Sequence, residues 1–169
     1  MQKSANCVII KSRKLKSPVG NKKYTAPRGR KEHFMLKLII GVKGTGKTKT
    51  LISMVNEAAE ASKGTVVCIE KGVGLRFDVK HTVRLVNTNE YLIFNAEALY
   101  GFVAGVLASN HDVTDVFIDS ALKISNNDLV AFDGFVKAVD ELTNRLDVNV
   151  VITSSIPTDE ASDIVKKYV

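Results

Sequence analysis

Gly41-Val42-Lys43-Gly44-Thr45-Gly46-Lys47-Thr48 fills every position of the pattern G-x-x-x-x-G-K-[ST]. An apolar run, Leu36 to Ile40, comes just before it, and a helix-compatible segment, Thr48 to Ser62, comes just after. Strand, glycine loop and helix in that order form a phosphate cradle. The glycines allow positive φ, so the loop can turn its N–H groups inward. The helix behind it offers unpaired N–H groups and the positive end of its dipole. Lys47 has the reach for β and γ phosphates, and the Thr48 hydroxyl suits a Mg²⁺ ion. The binding residues expected here are Gly41, Val42, Lys43, Gly44, Thr45, Gly46, Lys47, Thr48 and Lys49, with Lys47 also assisting the chemistry.

The flanking sequence alternates strand-like and helix-like segments. Thr65 to Ile69 is a second buried-strand run closing on Glu70, Val113 to Asp119 a third, and Val148 to Ile152 a fourth that ends in Thr153-Ser154. Continuous apolar runs of this kind fit parallel strands covered on both faces. Helices are expected over Ala96–Ala108 and from about Asp128 to Leu146, the latter capped by Asn126 or Asn127, with Leu129, Val130, Phe132 and Phe135 among its core positions. Pro157 is expected to open a short last helix. Leu75–Val79 and Thr82–Val86 read either as a hairpin around Lys80-His81 or as one irregular insertion. The expected fold is a three-layer α/β/α sandwich around a mostly parallel sheet.

Charge divides the chain. Of its 24 Lys/Arg and 18 Asp/Glu, ten and one fall in residues 1–34, which leaves 14 and 17, a net of −3, for residues 35–169. Residues 11–33 also carry Pro18, Gly20, Pro27 and Gly29 with little apolar periodicity, so residues 1–34 are expected to be a disordered basic leader. Three readings of it stand side by side. It is a misassigned start, since the codons for Lys31-Glu32 can spell a purine-rich, ribosome-binding-like run two codons ahead of Met35. It is a solvated tail. Or it is a basic arm for nucleic acid or an acidic partner. The acidic balance of residues 35–169 disfavours nucleic acid as a partner of the domain itself.

Other classes are disfavoured by what the chain lacks. No apolar run approaches membrane-spanning length, and no signal-peptide pattern opens the sequence. Cys7 and Cys68 lie far apart, and Cys68 sits in an apolar strand, as suits a reduced, cytoplasmic protein. His33, His81 and His111 show no metal-ligand spacing. No guanine-reading Asn/Thr-Lys-x-Asp is present; Asn144-Arg145-Leu146-Asp147 has arginine in the lysine position.

On Gly41–Thr48 in its strand–helix setting, residues 35–155 resemble the P-loop NTPase superfamily. Val116-Phe117-Ile118-Asp119 looks like the Walker B strand, which implies that Asp119 holds Mg²⁺ opposite Thr48. The resemblance to RecA-like, additional-strand ATPases implies that Thr153 or Ser154 senses the γ-phosphate; turn chemistry before Pro157 explains them equally well. Most such ATPases carry glutamate directly after the Walker B aspartate, where this chain has Ser120. RecA-type recombinases carry it at the end of the strand after the P-loop helix, where Glu70 stands, so the resemblance assigns Glu70 the catalytic role; the other reading is a surface glutamate at a strand end. Arg76 or Arg84 could serve as an arginine finger across a subunit interface, against ordinary solvated arginines. The expected function is Mg²⁺-dependent ATP binding with slow hydrolysis, coupled to an unidentified protein partner or a homo-oligomer. The alternatives are a non-hydrolysing nucleotide-dependent binding module and a small-molecule kinase whose base and acceptor pocket come from residues 71–95.

Overall fold

The computed structural model describes residues 35–169; the basic leader lies outside the described residues. Strand β1 (Leu36–Ile40) runs into the glycine loop and helix α1 (Lys47–Ala61). There follow β2 (Thr65–Glu70), β3 (Arg84–Asn87), a 3₁₀ turn (Thr88–Tyr91), α2 (Ala96–Ser109), β4 (Val113–Ile118), α3 (Ala121–Ile124), α4 (Leu129–Leu146), β5 (Asn149–Ser154) and α5 (Asp163–Lys166). The sheet order is β1-β5-β4-β2-β3, and every pairing is parallel.

Side-chain alternation along the strands divides the core into two layers. Val66 and Cys68 of β2, Phe117 of β4 and Val151 of β5 pack with Leu51 and Val55 of α1. Their neighbours Val67, Ile69, Val116, Ile118, Val150 and Ile152 point the other way, against Leu99 and Val103 of α2 and Phe132, Phe135 and Val139 of α4. Burial on both faces explains why these strands read as unbroken apolar runs, and the result is the expected α/β/α sandwich.

Gly64 shows how tightly α1 is turned back into β2. Thr65 N–H donates to Asp112 O at 2.7 Å. A Cβ on Gly64 would lie 2.2 Å from that same carbonyl oxygen and 2.6 Å from Thr114 Cγ2. Both obstacles are parts of the β4 entry, so a side chain at 64 must push strand from strand. Gly64→Ala should cost about 1–3 kcal/mol in urea unfolding, as overpacking does; an unchanged midpoint would show that the strand entry yields freely.

The structure corrects several expectations. There is no hairpin at 75–86. Residues 71–83 form a turn-rich crossover, and Arg84–Asn87 pairs parallel to β2, from Val67↔Arg84 to Glu70↔Asn87. A parallel return needs about a dozen residues of connection, and this segment provides them without a helix. It is fastened to α1 by Asn56, whose amide donates to Asp78 O at 2.8 Å and accepts from Lys80 N–H at 2.9 Å. Leu75 and Val83 anchor it in the α1 layer.

Helix α4 is capped by Asp128, which accepts from Ala131 N–H at 3.0 Å; Asn126 and Asn127 instead take positive φ in the turn before it. Leu129 and Val130, expected in the core, are 44% and 83% exposed, because the buried stripe begins at Phe132. Pro157 opens only a turn; the last helix starts after Ser162, which accepts from Val165 N–H at 3.2 Å. Gly101 and Gly105 are exposed on α2 and mediate no close packing, since a Cβ on either would meet nothing within 4 Å.

Candidate nucleotide site

Strand parity assembles the site. Cys68, Phe117 and Val151 face the α1 layer, so the residues two positions later, Glu70, Asp119 and Thr153, lie on that same side at the C-terminal ends of β2, β4 and β5. The glycine loop leaves β1 over this edge and delivers α1 onto it. In the loop, Gly44 and Gly46 have φ of 90° and 82°, and a Cβ on either would meet nothing within 4 Å. Glycine is therefore required there by backbone conformation and not by lack of space. Lys47 folds back over the loop, its ammonium donating to Gly41 O and Val42 O, both at 2.8 Å. Lys43, in the loop, and Lys49, in the first turn of α1, are exposed.

Asp119 is the hub. Its Oδ1 accepts from the Thr48 hydroxyl at 3.0 Å and from the Thr153 hydroxyl at 2.9 Å. Its Oδ2 accepts from the Ser120 hydroxyl at 2.9 Å. The Thr153 oxygen in turn accepts from Ser120 N–H at 2.8 Å. Of the two residues ending β5, Thr153 thus reaches the cluster. Ser154 does not: it accepts from Leu122 N–H at 3.4 Å and supports α3.

Glu70 is 4% exposed, which removes the surface-glutamate reading. Its Oε2 accepts from Leu75 N–H at 3.0 Å, so the carboxylate also holds the start of the 71–83 crossover. Burial pushes its carboxyl above the ordinary glutamate value; the amides of Leu75 and Gly74 pull it down, and the charge of Asp119 raises it further. Beneath, Cys68 is a free buried thiol pushed up to about 12, by burial first and then by the charges of Glu70 and Asp119, and so stays protonated.

The crossover is tied to its surroundings at two more points. Gly72 N–H donates to Asn87 Oδ1 at 3.0 Å, and Lys71 donates to Lys123 O at 2.8 Å. Neither arginine singled out in the sequence joins the cluster within its own chain. Arg84 pairs with Val67 in the middle of β2, three residues before Glu70 and about 10 Å from the site edge at a strand's rise per residue. Arg76 is exposed in the crossover.

The sequence reading missed Ser120 as a partner of Asp119. Ser120 sits at φ 57°, ψ 40°, in the N-cap position of α3 yet without a side-chain bond to that helix. A left-handed non-glycine residue costs about 1–3 kcal/mol, and such strain gathers at functional sites. No one-dimensional pattern signals it.

No protein-family model matches the chain, and no curated protein matches it. Among solved structures, a KaiC-like protein from the hyperthermophilic archaeon Pyrococcus horikoshii OT3 superposes with a TM-score of 0.59, over 79% of this chain and 66% of that one. The fold is RecA-like. At 17% identity the likeness extends to the fold alone, and the chain spans just under two thirds of that protein's length. In this RecA-like sheet β5 lies between β1 and β4, so the strand beside the glycine-loop strand is the one that ends in Thr153-Ser154. No helix among the described residues is long and apolar enough to cross a membrane.

Proposed function

We infer that residues 35–169 are a Mg²⁺-dependent ATP-binding domain with slow ATP hydrolysis, coupled to a protein partner or a second copy of the chain. One observation carries this reading. Thr48 and Asp119, 71 residues apart in sequence, meet at 3.0 Å directly beside the complete G-x-x-x-x-G-K-T loop. A hydroxyl and a carboxylate are hard oxygen donors, and a pair of them beside a phosphate cradle fits Mg²⁺ with phosphates completing its shell. Thr48 and Asp119 would hold the ion, which supplies charge neutralisation at the β and γ phosphate oxygens. The loop amides of 41–48 and the Lys47 ammonium would bind the phosphates, with Lys43 and Lys49 adding positive charge in the loop and in the first turn of α1.

Glu70 is the group assigned to orient water. It stands on the same face as Asp119, and burial raises its affinity for a proton above that of an ordinary glutamate, the direction in which a carboxylate becomes a stronger base. The setting is that of the cytosol, which suits the free Cys68. The non-hydrolysing module remains the second reading, favoured by the hydrogen bond that Leu75 N–H already donates to Glu70 Oε2.

Calorimetric titration with ATP in Mg²⁺ and in chelator tests the first claim. The wild type should bind, and more tightly with Mg²⁺. Asp119→Asn should shrink that Mg²⁺ advantage about tenfold, because a neutral amide holds the cation's shell poorly. No binding by the wild type in Mg²⁺ would end the nucleotide reading. Phosphate release at zero, with binding intact, would select the non-hydrolysing module.

A further inference from the structure

We propose that Ser120 is a positioning residue for the cation-binding carboxylate, fixing Asp119 from the side opposite Thr48. The inference rests on the nucleotide reading above and deepens it. Its starting point is an outlier. A serine at a helix N-cap ordinarily takes an extended backbone and turns its oxygen onto the helix amides. Ser120 does neither. Its backbone is left-handed, its side chain makes no cap bond, and its hydroxyl points back to donate to Asp119 Oδ2 at 2.9 Å.

The cap work it gives up is done by β5. Thr153 accepts from Ser120 N–H, and Ser154 accepts from Leu122 N–H. Thr153 then donates its own proton to Asp119 Oδ1. The left-handed turn therefore serves the carboxylate: it places one hydroxyl donor on each oxygen, Thr153 on Oδ1 and Ser120 on Oδ2, apart from Thr48. Once Thr48 serves a cation, Thr153 and Ser120 are the donors that keep the carboxylate plane in place. Ser120 does this where a glutamate would bring a second negative charge. A hydroxyl in that position stabilises the charge of Asp119 and cannot compete for the cation as a carboxylate would.

The test separates hydroxyl from backbone. Ser120→Gly takes positive φ without strain, and Ser120→Ala keeps the strain; both lose the hydroxyl. The readouts are melting temperature, calorimetric affinity for ATP in chelator, and the Mg²⁺ concentration that half-saturates the gain in ATP affinity. Both variants should raise the Mg²⁺ midpoint about tenfold while leaving chelator affinity unchanged, as losses of an outer partner of a metal site do. Ser120→Gly should melt at or above the wild type, and Ser120→Ala below Ser120→Gly. A Ser120→Gly midpoint equal to the wild type would overturn the proposal, since only the backbone would then matter. A parallel loss of chelator affinity in both variants would also overturn it, by showing general disruption of the loop. Absence of ATP binding by the wild type would instead sink the nucleotide reading, and this proposal with it.

Discussion

Glu70→Gln should still bind Mg·ATP and should release phosphate about 10²–10⁴ times more slowly than the wild type, the usual range for loss of a general base. The substitution keeps the side chain's size, and its amide oxygen can still accept from Leu75 N–H, so the crossover start should stay anchored. What it removes is a carboxylate whose burial raises its affinity for a proton. A pH signature comes with it. The wild-type rate should fall as pH drops through the raised value of Glu70, and that acidic limb should vanish in Glu70→Gln.

Stability should respond in the opposite sense. The folded value lies above the ordinary 4.5, so the contribution of Glu70 is fully present below 4.5 and is lost as pH rises through the folded value. Glu70→Gln should therefore gain in melting temperature relative to the wild type between acidic and neutral pH. Phosphate release unchanged in the variant would rule Glu70 out as the base. A pH-independent difference in melting temperature would show that its burial carries no titration.

Lys47→Ala should weaken Mg·ATP binding about ten- to a hundredfold, the worth of one charge-assisted contact of about 1.5–3 kcal/mol. The ammonium is poised for exchange. It now donates to two carbonyls of its own loop, Gly41 O and Val42 O, and phosphate oxygens are stronger acceptors for a charged donor. The same bonds mean that part of the loss could come from a slacker loop. Lys47→Arg addresses this: it keeps the charge with a different geometry, and should fall between alanine and wild type. Equal affinity of Lys47→Ala and wild type in calorimetry would sink the role.

What was legible in the sequence was local. The glycine loop announces itself because three glycines, a lysine and a threonine must sit within one turn to do their work. β1, β2, β4 and β5 were legible because burial on both faces demands unbroken apolar runs. Asp119 and Glu70 could be nominated because each ends such a run. Misreadings arose where local signals were weak or shared. Arg84–Asn87 is a short strand whose direction cannot be told from its composition. Val130 precedes Phe132 by two residues, about 200° around a helix, so it faces away from the buried stripe, while Leu129 lies at that stripe's margin in the first turn.

The chain by itself thus determined the class of fold and the short list of polar residues, since period and motif act over a few neighbouring positions. Only the tertiary structure decided which of those residues meet. Thr153 and Ser154 are chemically alike and adjacent, yet strand alternation sends one to Asp119 and the other to α3. Glu70 is a strand-end glutamate whose burial depends on the 71–83 crossover, and that crossover is fastened by Asn56 of α1. Ser120 acquires its bond to Asp119 through a left-handed backbone whose N–H is held by β5. Each of these outcomes depends on contacts between segments far apart in the chain, and the energy of such contacts is set by packing, which no local pattern encodes.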